Sequence, residues 1–381
     1  MQGTLFPARV WGRAPAESRD SVSGGSRAEP SRIPKAELLK KVFINIYTQR
    51  RQNMGIKILG TGCYLPDQKL TNNDFTKFVE TNDEWIRTRT GIAERRMAGW
   101  EPVWYMGSEA ARQAISKAGI APEDIGLVIA ASATNDFHTP SIACLVQHET
   151  GAVNAAAFDV NAACSGFVYA LDTARRFLET DDSMKYVLIV AAEALSRFLD
   201  FGDRSSCILF GDGAAAAVIE RSDKPFTSAL GADGSGGRLL YARSVGVAEE
   251  VKIDSDFDDG FPEKRLHKLY QDGKEVYKFA TNALPKAFHL AADKAGITPE
   301  DIDWFVPHQA NVRIIETAAK NLGAPMEKFI VTLDHYGNTS SVSIPLALHE
   351  SIEKGIIRRG QKLALIGFGA GLTYAGAIFE Y

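Results

Sequence analysis

Short apolar runs alternate with longer amphipathic stretches along the chain from residue 54 onward. The runs 187–192 and 214–219 are apolar at every position, a pattern typical of strands buried on both faces of a sheet. Apolar residues at helical spacing predict helices over 108–118 and 166–178. The predicted strands are Ile56–Gly60, Leu127–Ala131, Ala156–Val160, Tyr186–Ala191, Ile208–Ile219 and Trp304–Val306. This alternation implies crossover connections and a sheet covered on both faces.

The chain contains an internal repeat. Lys117–Ile125 reads KAGIAPEDI and Lys294–Ile302 reads KAGITPEDI, with eight of nine positions identical. Each copy follows a predicted helix and precedes an apolar strand, as duplicated supersecondary units do. The sequence therefore predicts two related α/β halves, at 54–222 and 223–381, with Asp223–Glu263 as the connection and excursion between them.

Residues 1–53 differ in composition from the rest of the chain. They contain ten Lys or Arg and four Asp or Glu, and Ser, Gly, Pro and Arg dominate the first part. Such a segment has too little apolar surface to fold, so a disordered extension is predicted, with a short helix over Lys35–Tyr47. Two interpretations stay open: an organelle transit peptide, or a dispensable tail upstream of a natural start at Met54.

Composition and charge exclude several classes of protein. With 45% hydrophobic and 24% charged residues, the chain resembles an ordinary globular protein. A net charge of −4 gives no general attraction to nucleic acid, and four scattered cysteines suit neither a disulfide scaffold nor a metal cluster. The uncharged run Leu363–Phe379 has 17 residues and four glycines, which is too short for a membrane span. We expect a cytoplasmic protein without metal, nucleic acid or membrane as partner.

Cys164 is the first candidate for chemistry. It lies in Asn161-Ala-Ala-Cys-Ser-Gly, between the predicted strand 156–160 and the predicted helix 166–178. Small neighbours leave room for an electrophile, and the positive end of the helix dipole is expected to lower the pKa of the thiol. The pattern favours a nucleophile, with a buried structural cysteine as the alternative. The other three cysteines are interpreted as structural: Cys63, Cys144 and Cys207.

His308 and Asn338 are candidates from the second half. His308 follows the predicted strand 304–306, at the carboxyl end where α/β sheets commonly form a site. Asn338 lies in His335-Tyr-Gly-Asn-Thr-Ser, in the loop whose counterpart in the first half carries Cys164. The duplication predicts that Cys164 and Asn338 face each other, with His308 near them.

Residues 54–381 carry seven motifs in one order: GTGCYLP, TNDEWIRTRTGI, AACSGFVYAL, FGDGAAA, PHQAN, HYGNTSS and GFGAGLTYAGAIFEY. On these motifs the chain resembles the β-ketoacyl-acyl-carrier-protein synthase III family. The resemblance implies a thiolase-like fold, in which two duplicated βαβ-rich halves form a layered α/β/α/β/α core. It also implies an acyltransferase that initiates fatty-acid synthesis. Such an enzyme condenses acetyl-CoA or a short or branched acyl-CoA with malonyl-acyl-carrier protein, giving 3-oxoacyl-acyl-carrier protein, CO₂ and CoA.

The resemblance also implies roles for the candidate residues. Cys164 would carry the acyl group as a thioester, while His308 and Asn338 would hold the malonyl carbonyl oxygen and stabilise the enolate. The backbone N–H groups of Cys164 and Ala370 would hold the tetrahedral oxyanion. The family commonly has glycine where this chain has Ala370, a change that keeps the backbone donor. No cofactor is implied.

Binding residues follow from the same resemblance. Coenzyme A would contact four residues, of which Lys274 departs from the asparagine of bacterial members: Trp85, Arg89, Arg204 and Lys274. A basic rim for the carrier protein would consist of Lys278, Arg313 and Lys320. Phe210 would line the acyl pocket, together with Thr139 contributed across the interface of a homodimer. Some members have phenylalanine where this chain has Thr139, which implies a roomier pocket.

Two other functions and one other location are alternatives to these expectations. A related Cys–His–Asn condensing enzyme of secondary metabolism shares the three candidate residues. A papain-like cysteine hydrolase also has His and Asn downstream of its cysteine, but the flanks of Cys164 and the duplicated α/β pattern do not fit it. A plastid location replaces the cytoplasm if residues 1–53 are a transit peptide.

Overall fold

Two β-sheets lie at the centre of the computed structural model, which describes residues 55–244, 260–263 and 265–381. The strands of the first sheet are β1 (Gly55–Tyr64), β4 (Ile125–Ala131), β5 (Ala156–Val160), β6 (Tyr186–Glu193) and β7 (Gly213–Ser222). Those of the second are β8 (Phe226–Ala232), β11 (Trp304–Pro307), β12 (Lys362–Gly369) and β13 (Thr373–Glu380). Two short pairs complete the described strands: β2 (Lys69–Thr71) with β3 (Glu94–Arg96), and β9 (Leu240–Ala242) with β10 (Leu269–Gln271).

The strand orders are β1-β7-β6-β4-β5 and β8-β13-β12-β11. β4 pairs in parallel with β5 and β6, and β11 pairs in parallel with β12. The other pairs within the two sheets are antiparallel. Each half thus contains the parallel pairing that crossover connections produce.

Nine α-helices are described in these ranges. They are α1 (Asp83–Thr90), α2 (Val103–Ala118), α3 (Ile142–Thr150), α4 (Gly166–Thr180), α5 (Arg204–Cys207), α6 (Gly273–Ala292), α7 (Val312–Leu322), α8 (Leu333–Tyr336) and α9 (Ser343–Glu353). Among the residues with a described structure, none forms a helix with the length and apolarity needed to span a bilayer.

The repeated sequence has the same structure in both halves. Gly119 and Gly296 adopt left-handed φ angles of 67° and 62° after α2 and α6, where a side chain would be strained. A 3-10 turn follows in each copy, at Pro122–Asp124 and Pro299–Asp301, and leads directly toward β4 or β11. The motif therefore ends a helix and redirects the chain into the sheet.

Three hydrophobic clusters define five layers. The central cluster joins α4 and α9 to both sheets, with Phe167 and Ile344 among its members. A second cluster packs α2 and α3 on the outer face of the first sheet, and a third packs α6 and α7 on the outer face of the second. Because each sheet is covered on both faces, its central strands are apolar throughout. The predicted α/β/α/β/α architecture is confirmed.

One predicted strand boundary is wrong, and part of the predicted connection belongs to a sheet. The strand predicted over Ile208–Ile219 begins at Gly213. The backbone of Leu209 and Gly211 instead bonds to Asn338, so these residues leave the sheet to contact the second half. Within the predicted connection and excursion, Phe226–Ala232 forms β8, which pairs with β13 at an edge of the second sheet.

The predictions for the N-terminal part of the chain concern residues that the structure does not describe. The extension 1–53, the predicted helix Lys35–Tyr47 and Met54 fall outside the described residues. The division at 222 and 223 into two halves stays a prediction.

Candidate active site

Cys164 lies in the connection between β5 and α4. A 3-10 turn, Ala163–Ser165, connects to the helix, and Ala163 has a left-handed φ of 45°. The Cys164 side chain is buried, with 7% of the residue exposed. Gly369 at the end of β12 approaches so closely that a Cβ there would lie 2.6 Å from the Cys164 nitrogen. The nucleophile candidate is thus held between the two halves.

The expected lowering of the Cys164 pKa is wrong for this structure. Burial raises the pKa of the thiol to about 12, because the thiolate loses its hydration. A hydrogen bond with the Ser340 side chain and another from the backbone at Cys164 oppose the rise, while the Glu193 carboxylate adds to it. In the free protein Cys164 is therefore a thiol, and its proton must leave as an electrophile is attacked.

His308 follows β11 and is 1% exposed. Its backbone nitrogen donates to the Ile366 oxygen at 2.8 Å, which ties it to β12. The ring lies edge-on to Phe368, with 5.1 Å between the centroids, and Nδ1 lies 2.7 Å from the Ser343 hydroxyl. Burial lowers the pKa of His308 to about 3, so the imidazole is neutral.

Asn338 is fixed by its backbone and by one end of its side chain. Its backbone nitrogen donates to Leu209 at 2.8 Å, and its carbonyl oxygen accepts from Gly211 at 3.0 Å. Oδ1 accepts the Ser340 backbone N–H at 2.9 Å, which assigns the amide orientation. The Nδ2 amide group is the part of the side chain that this contact leaves for donation.

The three candidate residues line one cavity of about 100 Å³, together with Phe210 and Gly369. The cavity thus combines a thiol with two neutral side chains that can donate hydrogen bonds. Donors aimed at a point where negative charge develops are the usual means of stabilising an enolate or oxyanion. No group of three or more His, Cys, Asp or Glu side chains in the described part of the chain is arranged to hold a metal ion.

Duplication explains why these residues meet. Asn161 and Asn338 are equivalent, since the Oδ1 atom of each accepts a backbone N–H two residues later, at 3.3 Å and 2.9 Å. The next equivalent pair, Ala163 and Ser340, has φ angles of 45° and 53°. Cys164 therefore corresponds to the residue after Ser340. The first copy thus contributes a cysteine to the cavity and the second copy an asparagine.

A larger cavity of about 440 Å³ begins on the other side of Cys164. Cys164, Phe210 and Ala370 line it. The roles of Phe210 in an acyl pocket and of Ala370 in an oxyanion hole stay predictions. Most of its remaining large side chains are apolar: Leu195, Phe198, Leu240, Tyr241 and Leu269. Cys164 and Phe210 thus separate a narrow cavity with hydrogen-bond donors from a wide apolar one.

Thr139 is exposed in the segment between β4 and α3. Its neighbours Phe137 and His138 line a further cavity of about 340 Å³, which shares Ala133, Asn161 and Phe198 with the 440 Å³ cavity. The predicted contribution of Thr139 to the acyl pocket of a second subunit stays a prediction.

Trp85, Arg89 and Arg204 come together at the surface. The guanidinium carbons of the two arginines lie 5.0 Å and 4.7 Å from the centroid of the Trp85 ring. Arg204 also donates to the backbone oxygen of Glu80 at 2.8 Å. Lys274 is exposed one residue after Gly273, which lines the 100 Å³ cavity. Stacked aromatic and guanidinium groups suit a purine that carries phosphates.

Lys278, Arg313 and Lys320 are exposed on the packed helices α6 and α7. Arg313 donates to the Thr88 carbonyl oxygen at 2.8 Å, which joins α7 to α1. Asn311 and the residue after Arg313 line the 100 Å³ cavity. Arg313 and Lys278 are therefore next in sequence to residues that line this cavity, Ile314 and Tyr277.

Sequence reasoning missed a buried carboxylate beside the site. Glu193, at the end of β6, is completely buried and accepts hydrogen bonds from Thr134 and Ser341, both at 2.7 Å, and from the Ala133 nitrogen at 3.1 Å. Burial raises its pKa. Ser341 is the counterpart of Cys164, so aligning the two repeats over this loop would have drawn attention to it.

Family models match two parts of the chain. Residues 158–234 match the model described as 3-Oxoacyl-[acyl-carrier-protein (ACP)] synthase III. Residues 292–381 match the model described as 3-Oxoacyl-[acyl-carrier-protein (ACP)] synthase III C terminal. These matches include Cys164, His308 and Asn338.

Individual proteins match over most of the chain. Beta-ketoacyl-[acyl-carrier-protein] synthase III of Clostridium acetobutylicum is 44% identical over 330 residues, which are 86% of this chain and 98% of the relative. The crystal structure of 3-oxoacyl-[acyl-carrier-protein] synthase III from Aquifex aeolicus has a TM-score of 0.78 and 42% identity, over 86% of this chain and 100% of that chain. The priming beta-ketosynthase of the R1128 polyketide pathway has a TM-score of 0.76 and 38% identity, over 85% and 96% of the two chains.

Proposed function

Because the chain belongs to the 3-oxoacyl-[acyl-carrier-protein] synthase III family, we propose that Cys164, His308 and Asn338 carry its condensation reaction. The enzyme is an acyltransferase that initiates fatty-acid synthesis. It joins an acyl-CoA primer to malonyl-acyl-carrier protein and releases CO₂ and CoA. The observation that carries the assignment of residues is the shared cavity of a thiol and two neutral donors.

Acyl transfer comes first. The Cys164 sulfur forms a bond to the carbonyl carbon of the acyl-CoA, and the bond from that carbon to the CoA sulfur breaks. The thiol proton leaves with CoA. The backbone N–H groups of Cys164 and Ala370 hold the tetrahedral oxyanion, and the acyl chain enters the 440 Å³ cavity. A pKa of about 12 for Cys164 makes proton removal part of this step.

Condensation follows on the acylated enzyme. The malonyl thioester loses CO₂, and the electron pair of the broken bond becomes an enolate whose oxygen accepts from His308 Nε2–H and Asn338 Nδ2–H. The carbanion carbon then forms a bond to the acyl carbon, the bond from that carbon to the Cys164 sulfur breaks, and the Cys164 thiolate takes up a proton from solvent. Neutral His308 suits this role, since an N–H donor is needed without a charge that must be desolvated.

The binding sites extend the proposal. Trp85, Arg89 and Arg204 bind the nucleotide of CoA, and Lys274 is a further contact to CoA. The acidic carrier protein docks on a basic rim formed by Lys278, Arg313 and Lys320. We also propose a homodimer in which Thr139 reaches the acyl pocket of the second subunit, and a cytoplasmic location, with the plastid as the alternative if residues 1–53 are a transit peptide. The reaction as proposed uses no cofactor.

A priming role in secondary metabolism is the second candidate, on the likeness to the R1128 ketosynthase. The greater identity to the relative from Clostridium acetobutylicum favours fatty-acid synthesis. Both roles use the same chemistry at Cys164, and they differ in the carrier protein and in the fate of the product.

The test separates the two steps. We expect His308→Ala and Asn338→Ala to accept an acyl group on Cys164, but to lose condensation by about 10²–10³, the usual effect of removing one oxyanion donor. His335→Ala is the matched control, since His335 is an exposed histidine in α8, three residues before Asn338. Condensation at the wild-type rate in both site variants would contradict the proposal.

A further inference from the structure

The two ring nitrogens of His308 have different surroundings. Nδ1 lies 2.7 Å from the Ser343 hydroxyl, and both residues are 1% exposed. The ring lines the 100 Å³ cavity with Cys164 and Asn338. Since Nδ1 is engaged by Ser343, Nε2 is the nitrogen that can serve a ligand in the cavity. A neutral imidazole has a single ring proton, so its location decides whether Nε2 donates or accepts.

The contacts of the Ser343 hydroxyl indicate which ring nitrogen of His308 carries that proton. Its oxygen accepts the backbone N–H of Gln309 at 3.3 Å. A serine hydroxyl has one proton to donate, and the partner that the described residues offer it is His308 Nδ1. If Nδ1 itself carried the proton, the Ser343 proton would be buried without an acceptor, at a cost of roughly 1–3 kcal/mol.

Gln309 holds this arrangement in place. Its side-chain Nε2 donates to the backbone oxygens of Pro307 and Ile330, at 2.8 Å and 3.0 Å. Its Oε1 accepts the Thr332 backbone N–H at 2.9 Å. All three contacts are buried, so the peptide group that donates to Ser343 cannot readily turn away. The Ser343 oxygen is therefore held between the Gln309 peptide and the His308 ring.

We propose that Ser343 is a positioning residue, whose hydroxyl donates to His308 Nδ1 and holds the neutral ring in the tautomer with its proton on Nε2. This inference rests on the proposed function, because it gives His308 the donor that condensation needs. Acyl transfer to Cys164 makes no use of that donor. Loss of the Ser343 hydroxyl should therefore slow decarboxylation and condensation while leaving acylation nearly unchanged.

The first experiment compares three variants. Ser343→Ala removes the hydroxyl, Ser343→Thr keeps one, and Ser351→Ala is the matched control, a buried serine in the same helix away from the cavity. We expect condensation to fall about 10- to 100-fold in Ser343→Ala, below the limit of about 10²–10³ for losing an oxyanion donor outright. Acylation by acyl-CoA should stay within about twofold, and Ser343→Thr should recover most of the loss.

The second experiment needs no variant in the site. Nitrogen-15 NMR of the wild-type protein with labelled histidine, assigned to His308 by comparison with His308→Gln, should show the proton on Nε2 and a hydrogen-bonded, unprotonated Nδ1. A proton on Nδ1 would overturn the inference even if Ser343→Ala were unstable. Normal condensation by Ser343→Ala would overturn it as well, provided that His308→Ala is impaired. Unimpaired condensation by His308→Ala would instead contradict the proposed function.

Discussion

Acid should destabilise this protein through the burial of His308, and the effect can be calculated. The pKa of His308 is about 3 in the folded protein, against 6.5 for an unperturbed histidine. Below pH 6.5 the His308 side chain therefore binds a proton in the unfolded chain, whereas in the folded chain it does so only near pH 3. Stability is unaffected above this window and falls as the pH drops through it.

The size follows from the two pKa values. At pH 5 the solution is about 1.5 units below the pKa of the unfolded state. At about 1.36 kcal/mol per unit, proton binding to the unfolded state lowers the free energy of unfolding by about 2 kcal/mol. His308→Gln removes this titration and keeps a side chain that can donate a hydrogen bond. Between pH 7 and pH 5 the variant should therefore lose about 2 kcal/mol less stability than the wild type.

Thermal unfolding at pH 7, 6 and 5 measures this difference. At about 2 °C per kcal/mol, the fall in Tm of the wild type should exceed that of His308→Gln by about 4 °C. The pKa of buried His349 is also lowered, but His349 is present in both proteins and cancels in the comparison. Parallel Tm curves for the two proteins would refute the argument, because they would mean that His308 is protonated in the fold or is not buried.

Three further predictions concern the substrate sites. The rate of Cys164 alkylation by iodoacetamide should rise about tenfold per pH unit between pH 7 and 10, since the pKa of the thiol is about 12. Glu193→Gln should be alkylated faster at each pH, because this variant removes a charge that opposes the thiolate. A rate that reaches a plateau below pH 9 would contradict this prediction. Trp85→Ala should raise the KM for acyl-CoA about tenfold with little change in kcat, since stacking on a base contributes about 1–3 kcal/mol; an unchanged KM would remove Trp85 from the CoA site. A chain that begins at Met54 should condense at the full rate, because the described sheets, helices and cavities all lie after this residue, and an inactive truncation would contradict this.

The duplication made much of the site predictable. The repeat around Lys117 and Lys294 indicated equivalent halves, and the loops of Cys164 and Asn338 could then be matched without knowing a single distance. His308 followed from the rule that sites form at the carboxyl ends of parallel strands. Local pattern and symmetry were sufficient to predict that these residues lie together, because each lies at a junction between regular elements.

Properties that depend on burial were not predictable in this way. The helix N-terminus at Cys164 predicts a lowered pKa, yet the surroundings contributed by Gly369 and the second half desolvate the thiolate and reverse the direction. Ser343 lies 35 residues from His308 in sequence, and Ser341 lies 148 residues from Glu193. Such contacts arise from packing between the halves, and no local pattern marks them.

The most direct test of the central claim is the mass of the protein after incubation with acyl-CoA. Wild-type protein should gain one acyl group, mapped by peptide analysis to Cys164, and should lose it when malonyl-acyl-carrier protein is added. Cys164→Ala should gain none, while Cys207→Ala, which removes a buried cysteine outside the two cavities that Cys164 lines, should behave as the wild type. Acylation that persists in Cys164→Ala, or that maps to another cysteine, would contradict the account.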